Sequence, residues 1–120
     1  MTEIVYVYGT LRPGTNPTIR IEGTMYSVGS FPGVKLGGNG SFAAERVAAA
    51  SLAVLDAYEG YDPTSGDLSS NLYVRRRFRD GWIYEYNQEV AGLQEVSGGD
   101  WLAFRPTGDG WSASSLLAEG

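Results

Sequence analysis

Only one segment of this chain, residues 50–60 with the sequence ASLAVLDAYEG, has the apolar spacing of an α-helix. Leu52 and Leu55 lie at helical spacing, Ser51 is a predicted N-cap, and Gly60 is predicted to end the helix in the left-handed region. Elsewhere the apolar residues alternate, or form short β-branched and aromatic runs between glycine-rich turns. The pattern therefore predicts a β-rich fold with one short helix.

The remaining segments predict roughly six mostly antiparallel strands, which can close as a barrel. The predicted strands are residues 3–8, one or two strands within 18–36 broken at Gly29 and at Pro32-Gly33, and residues 72–78, 82–87 and 100–105. Strand 3–8 is apolar on both faces, which predicts a central position. GGNGS at 37–41 predicts a flexible turn, residues 42–48 fit either strand or helix, and Asp80-Gly81 predicts a hairpin corner.

Composition excludes several kinds of chemistry. The 120 residues include no cysteine and no histidine, which removes Ser-His-Asp and Cys-His arrangements and the usual zinc ligands. Acid–base work at neutral pH is left to a carboxylate, a tyrosine or the single lysine, Lys35. A net charge of −5 and a pI near 4.6 argue against nucleic-acid binding.

The sequence shows no sign of a targeting segment. The chain carries no signal-peptide pattern and no apolar run of membrane-spanning length, so we expect a cytoplasmic protein of one domain, residues 1–120, with no membrane partner.

A tight turn follows the first predicted strand, in GTLRPG at residues 9–14. Gly9 and Gly14 have the spacing of a phosphate loop, but the lysine and the helix that such a loop requires are missing. Two interpretations remain: an ordinary turn, or a loop whose backbone N–H groups face a ligand.

Glu59 ends the predicted helix, where the macrodipole is negative and raises the pKa of a carboxyl group. Such a group suits a general base near neutrality, although a helix-end glutamate taken by its position alone is more typical of a solvated surface. Asp56, three residues earlier, is expected to cap or orient rather than to react.

Three consecutive arginines, at residues 75–77, lie in a predicted strand. Because side chains alternate along a strand, the middle arginine should point away from the other two, which favours a solvated edge over a phosphate site. The chain also has eight tyrosines, and most tyrosines are core residues with a solvated hydroxyl.

Four motifs occur in the order found in one known family: VYGTLRPG at 7–14, LDAYEGY at 55–61, LYVRRRF at 72–78 and WIYEYN at 82–87. In these motifs the chain resembles the gamma-glutamylcyclotransferase-like family, which includes the gamma-glutamylamine cyclotransferases and the avirulence-induced-gene-like proteins. The resemblance covers about residues 4–105. It implies an α+β fold, a small mixed, mostly antiparallel β-barrel with one or two short helices.

The resemblance also implies a site and a reaction. Glu59 corresponds to the family's catalytic acid/base, and the substrate's gamma-glutamyl group would be held by the residues Tyr8, Gly9, Thr10, Leu11, Tyr73 and Tyr84. The first-strand turn and Glu59 should therefore line one pocket. The implied reaction is an intramolecular acyl transfer that releases 5-oxoproline from a small gamma-glutamyl compound, without metal or cofactor.

Glu45 marks a departure from the family pattern. It lies in FAAERVAAAS, where family members commonly have Gly-Glu-Leu/Val-Tyr, so the glycine and the tyrosine are missing. A second hypothesis is a non-catalytic small-molecule-binding or scaffold domain of the same fold. The sequence specifies neither the leaving amine nor the oligomeric state.

Overall fold

The computed structural model describes residues 2–104 and 114–119. Along the chain the strands and helices are β1 (Glu3–Val7), β2 (Thr18–Val28), β3 (Phe31–Ala49), α1 (Leu52–Glu59), β4 (Tyr73–Phe78), β5 (Gly81–Tyr86), β6 (Gln94–Glu95) and α2 (Trp101–Phe104). Within these described ranges, three short 3₁₀ helices cover Leu68–Ser70, Ser97–Gly99 and Ser114–Ala118. No helix in the described part of the chain is long and apolar enough to cross a membrane.

The strands form one curled sheet in the order β4-β5-β1-β3-β2-β6. Among the described strands, only the β1–β5 pair is parallel, and the other pairs are antiparallel. The predicted α+β architecture with a mixed, mostly antiparallel sheet is confirmed. Over the described residues, no strand pairing joins β4 to β6, so the sheet is a half-barrel with β4 and β6 as its edges.

β1 lies inside the sheet between β5 and β3, as its two apolar faces predicted. Val5 and Val7 pack in one buried cluster with Leu55 of α1. Tyr6 and Tyr8 pack in a second cluster that also contains Trp101. Because both faces of β1 are covered, the strand is held firmly, and the start of the turn that follows it has a fixed position.

β3 is longer than predicted. Pro32-Gly33 does not break it, and residues 42–48 are strand. The GGNGS segment is not a turn that ends a strand: Glu22 pairs with Ser41 and Gly23 with Leu36, which leaves residues 37–40 as an irregular insertion within β3. Gly37 and Gly38 have positive φ angles, so glycine makes the insertion possible.

The predicted strand at residues 100–105 is wrong, because Trp101–Phe104 form α2. Asp100 Oδ1 accepts a hydrogen bond from Leu102 N at 3.1 Å, which favours helix initiation over strand pairing. Trp101 stacks on Phe104 with ring centroids 5.6 Å apart, a contact that helical spacing allows. Arg105, the last residue of the predicted strand, lies outside the described residues.

The hairpin predicted around residues 79–81 is present between β4 and β5. Its turn residues are Arg79 and Asp80, and Gly81 already pairs with Phe78. A Cβ on Gly81 would lie 2.2 Å from Ile4 O, so the glycine allows β5 to approach β1 closely.

Candidate active site

The turn after β1 is closed by a hydrogen bond from Arg12 N to Gly9 O at 3.0 Å. Gly9 is required by close packing: a Cβ there would lie 2.7 Å from Pro32 Cγ and 2.9 Å from Pro32 Cδ. The N–H groups of Gly9 and Leu11 have no protein acceptor among the described residues. The turn therefore has the backbone donors that its glycine suggested.

α1 is built as the sequence predicts. The Ser51 side chain accepts a hydrogen bond from Val54 N at 3.3 Å, and Gly60 ends the helix with a φ of 67°. Glu59 is the last helical residue. The capping of both ends fixes where the helix stops, and so fixes the position of Glu59.

Asp56 attaches α1 to the sheet. Arg75 Nη1 of β4 donates to Asp56 Oδ1 at 2.9 Å and to Oδ2 at 2.8 Å. The Tyr84 hydroxyl of β5 donates to Asp56 Oδ1 at 2.6 Å. All of these groups are buried or half-buried, so Asp56 orients the helix, in agreement with the orienting role expected for it.

The turn, the end of α1 and the β2–β3 turn surround one cavity of about 230 Å³. The expected convergence is present: residues 9–11 and Glu59 both line this cavity, although about fifty residues separate them in sequence. Its other lining residues are Tyr6, Val7, Tyr8, Ser30, Phe31, Pro32, Tyr58, Leu72, Tyr73 and Tyr84. All six residues proposed for substrate binding thus lie around one pocket with the proposed catalytic residue.

Glu59 has an unusual electrostatic setting. Its side chain is half-buried against the pocket, and among the described residues its carboxylate has no hydrogen bond or ion pair. Loss of water around the carboxylate raises the pKa of Glu59 from 4.5 to about 8. The raised pKa agrees with the sequence prediction, and burial is its cause. Glu59 is therefore not a solvated surface glutamate.

The three tyrosines expected to bind the substrate donate their hydroxyl protons to protein acceptors. Tyr8 donates to Tyr84 O at 2.5 Å, and Tyr73 donates to Pro32 O at 2.5 Å. Tyr84 donates to Asp56. Burial is the main cause that raises the pKa of all three phenols above its ordinary value, so they stay protonated and cannot act as bases near neutrality.

Three residues that line the pocket were not predicted as site residues. Phe31 and Pro32 form a wall, and no local signal in the sequence places them near Glu59. Tyr58 reaches across the pocket, where its hydroxyl lies 2.7 Å from Thr10 Oγ1. In the sequence, the only sign that Tyr58 belongs to the site was its position next to Glu59.

Arg12 and Glu45 form a buried pair beside the turn. Arg12 Nε donates to Glu45 Oε2 at 2.7 Å, and the Glu45 carboxylate also accepts hydrogen bonds from Gly14 N and Asn16 N. Glu45, which the sequence singled out as a departure from the family pattern, thus binds the chain that follows the turn.

The three arginines of β4 alternate as expected. The guanidinium groups of Arg75 and Arg77 each lie 4.7 Å from the Trp82 ring centroid. Arg76 instead donates to Glu85 Oε1 at 2.5 Å. The three side chains do not act as one set. The described residues include no group of three or more potential metal ligands.

These features define a class: a small α+β domain in which a backbone turn and an unpaired glutamate share a pocket. The family model for gamma-glutamyl cyclotransferases of the AIG2-like type matches residues 5–103. The chain belongs to this family.

Related proteins agree with the family assignment. The chain is similar to the gamma-glutamylcyclotransferase family protein YtfP of Escherichia coli K12, at 35% identity over 80 residues, which are 65% of this chain and 66% of that protein. It matches ytfP of Citrobacter rodentium at 31% identity over 112 residues, covering 82% of this chain and 94% of that protein. The solution NMR structure of E. coli ytfP superposes with a TM-score of 0.60 at 29% identity, over 82% of this chain and 96% of that chain.

Proposed function

We propose that the protein is a gamma-glutamyl cyclotransferase that releases 5-oxoproline from a gamma-glutamyl amine, amino acid or peptide, with Glu59 as general acid/base. The observation that carries the proposal is the Glu59 carboxylate, which has no partner among the described residues in a pocket that it shares with the turn. A carboxylate whose pKa is raised toward neutrality can take up a proton and return it, which is what acid/base catalysis requires.

The proposed reaction is intramolecular. The substrate's α-ammonium gives a proton to Glu59, and the freed amine attacks the γ-carbonyl carbon to form the new C–N bond of a five-membered ring. The bond from this carbon to the leaving nitrogen then breaks, and Glu59 returns its proton to that nitrogen. The ring nitrogen loses its second proton to the departing amine, so the products are 5-oxoproline and an ammonium ion, and no co-reactant is consumed.

Burial of Glu59 makes proton transfer in this scheme less unfavourable. The substrate's α-ammonium lies beside a free α-carboxylate, so it is a weaker acid than a peptide N-terminus, whose pKa is about 7.7–8.0. The raised pKa of Glu59, about 8, narrows the gap between the two groups. A glutamate of ordinary pKa would be a much weaker base for this first transfer.

The residues of the turn have a different task. The backbone N–H groups of Gly9 and Leu11 are fixed in space, so they can hold the α-carboxylate of the gamma-glutamyl group without reorganisation. The phenols of Tyr8, Tyr73 and Tyr84 shape the pocket and stay neutral. Nucleophile and electrophile belong to one molecule, so holding the folded substrate supplies most of the proximity that the reaction needs.

The test is to incubate the purified protein with a panel of gamma-glutamyl amines, amino acids and peptides and to measure 5-oxoproline by mass spectrometry. We expect 5-oxoproline from at least one compound. If the protein binds members of the panel but none yields 5-oxoproline, the function is that of a non-catalytic binding domain. Heat-inactivated protein controls for spontaneous cyclisation.

A further inference from the structure

Arg12 closes the turn that begins at Gly9, but its side chain does not line the pocket. The residue is only 6% exposed, and its guanidinium is bound on three sides. Besides Glu45, it donates to Asp100 Oδ1 at 3.2 Å and to Thr18 Oγ1 at 3.2 Å. Its charge is therefore neutralised inside the protein, and Arg12 is not available to bind a substrate carboxylate.

Glu45 completes the arrangement from β3. It is fully buried, and its Oε1 accepts hydrogen bonds from Gly14 N at 3.0 Å and Asn16 N at 3.2 Å. The residues after the turn are thus fastened to the sheet by one carboxylate, while β1 holds the residues before the turn.

We propose that Arg12 and Glu45 are a positioning pair that fixes the turn of residues 9–12, and so sets the affinity for the substrate's α-carboxylate and not the rate of the chemical step. Arg12 serves both ends of this link, because its backbone N–H closes the turn on Gly9 O while its side chain binds Glu45. The proposal rests on the cyclotransferase function proposed above.

The kinetic consequence follows from where the turn acts. A carboxylate that does not change during the reaction is bound equally in the ground state and the transition state, so weaker binding raises KM and leaves kcat unchanged. Loosening the turn makes its donors less preorganised, and that entropy is then lost on binding. Glu59 is held by α1 and does not depend on this pair.

The test compares Glu45→Gln with Glu85→Gln. Glu85 is a matched control, because it also binds an arginine, Arg76, and a backbone N–H, that of Leu36, but does not line the pocket. For Glu45→Gln we expect KM to rise about tenfold with kcat within about threefold, which corresponds to the loss of one good hydrogen bond in binding. For Glu85→Gln we expect both constants within about twofold of wild type.

A merely structural role gives the opposite result. Partial unfolding removes active enzyme, which lowers apparent kcat and leaves KM unchanged. That outcome, or unchanged KM, would overturn the proposal, as would a fall in kcat equal to the rise in KM. Arg12→Lys is the second variant if Glu45→Gln does not fold. Lysine keeps the charge but cannot reach Glu45, Asp100 and Thr18 together, and the same rise in KM is expected.

A second measurement does not depend on activity. ¹⁵N relaxation of Gly9, Thr10 and Leu11 should give order parameters of rigid backbone, about 0.85, in the wild type and values falling toward about 0.6 in Glu45→Gln. Equal order parameters in the two proteins would overturn the proposal even if no substrate were found. An inactive wild type with a loosened turn in the variant would instead contradict the proposed function alone.

Discussion

Replacing Glu59 by glutamine removes the proton acceptor while nearly keeping the shape of the side chain. We expect Glu59→Gln to fold and to bind ligand but to lose cyclotransferase activity, by roughly 10²–10⁴-fold, because the attacking amine stays an ammonium without a lone pair. The measurement is the rate of 5-oxoproline release together with ligand binding. Full turnover in this variant would exclude Glu59 as the general base.

The pKa of Glu59 also predicts the dependence of the rate on pH. The base must be ionised to accept the ammonium proton, and its pKa is raised to about 8. Below that pH we expect kcat/KM to fall by about tenfold per pH unit. A pH–rate series measures this acid limb. A limb near the ordinary carboxyl pKa would mean that Glu59 is ionised far more easily in solution than its burial indicates.

Gly9 is the second residue whose role can be isolated by substitution. An alanine Cβ would lie 2.7 Å from Pro32 Cγ, so Gly9→Ala must push apart the turn and the start of β3. We expect a loss of about 1–3 kcal/mol in the free energy of unfolding, the usual cost of overpacking. Urea denaturation measures it. Gly66→Ala is the control, because no atom lies within 4 Å of a Cβ there, and a comparable loss in both variants would contradict the role of Pro32.

At the scale of elements, the attachment of α1 to the sheet depends on Asp56. Asp56→Asn weakens its two contacts with Arg75 and leaves that cation without a full counter-charge. We expect about 1.5–3 kcal/mol lower unfolding free energy, the range for hydrogen bonds to charged groups, while the protein that remains folded still makes 5-oxoproline. Thermal or urea unfolding measures the loss. Glu89→Gln, at an exposed site, should cost less than about 0.5 kcal/mol, and unchanged stability in Asp56→Asn would show that the ion pair adds nothing.

Local signals were enough for some elements and misleading for others. α1 was predicted from its apolar spacing and both caps, because these are properties of adjacent residues. The fate of residues 37–41 depends instead on the long pairing of β3 with β2, which absorbs a glycine-rich insertion that looks like a turn in isolation. Local patterns do not predict α2, because four residues are too few to show a helical period, although Asp100 accepts a capping hydrogen bond from Leu102 N.

At the scale of the whole molecule, the pocket also combines residues that local sequence signals predict with residues that they do not. Glu59 and the turn can be predicted because each has an unusual local sequence. Glu59 is a carboxylate at the negative end of a helix, and the turn is a glycine-rich segment directly after a strand. Phe31 and Pro32 carry no such mark, and only the folding of the β2–β3 turn brings them to the site. The burial that raises the pKa of Glu59 also comes from residues distant in sequence, so the sequence alone does not predict it.

Burial of Glu59 also makes the stability of the whole molecule depend on pH. Its pKa is about 8 in the folded protein against 4.5 as the ordinary value, so the folded state binds this proton more tightly than the unfolded chain does. The resulting stabilisation is complete below the unfolded pKa and is lost as the pH rises through the folded pKa, at about 1.4 kcal/mol for each pH unit between the two pKa values. Asp80 has the opposite sign, but its pKa is lowered from 3.8 to about 2, so its effect lies outside this window.

Glu59→Gln has no such proton to lose and should escape the loss of stability. We therefore expect the variant to gain unfolding free energy relative to wild type between about pH 5 and about pH 9, with the difference growing through the window. Urea unfolding at several pH values measures the difference, and Glu89→Gln controls for removal of a carboxylate at an exposed site. A difference that stays constant with pH would show that Glu59 ionises as readily in the folded protein as in the unfolded chain, and the proposed base would then lack the raised pKa that favours proton transfer from the substrate.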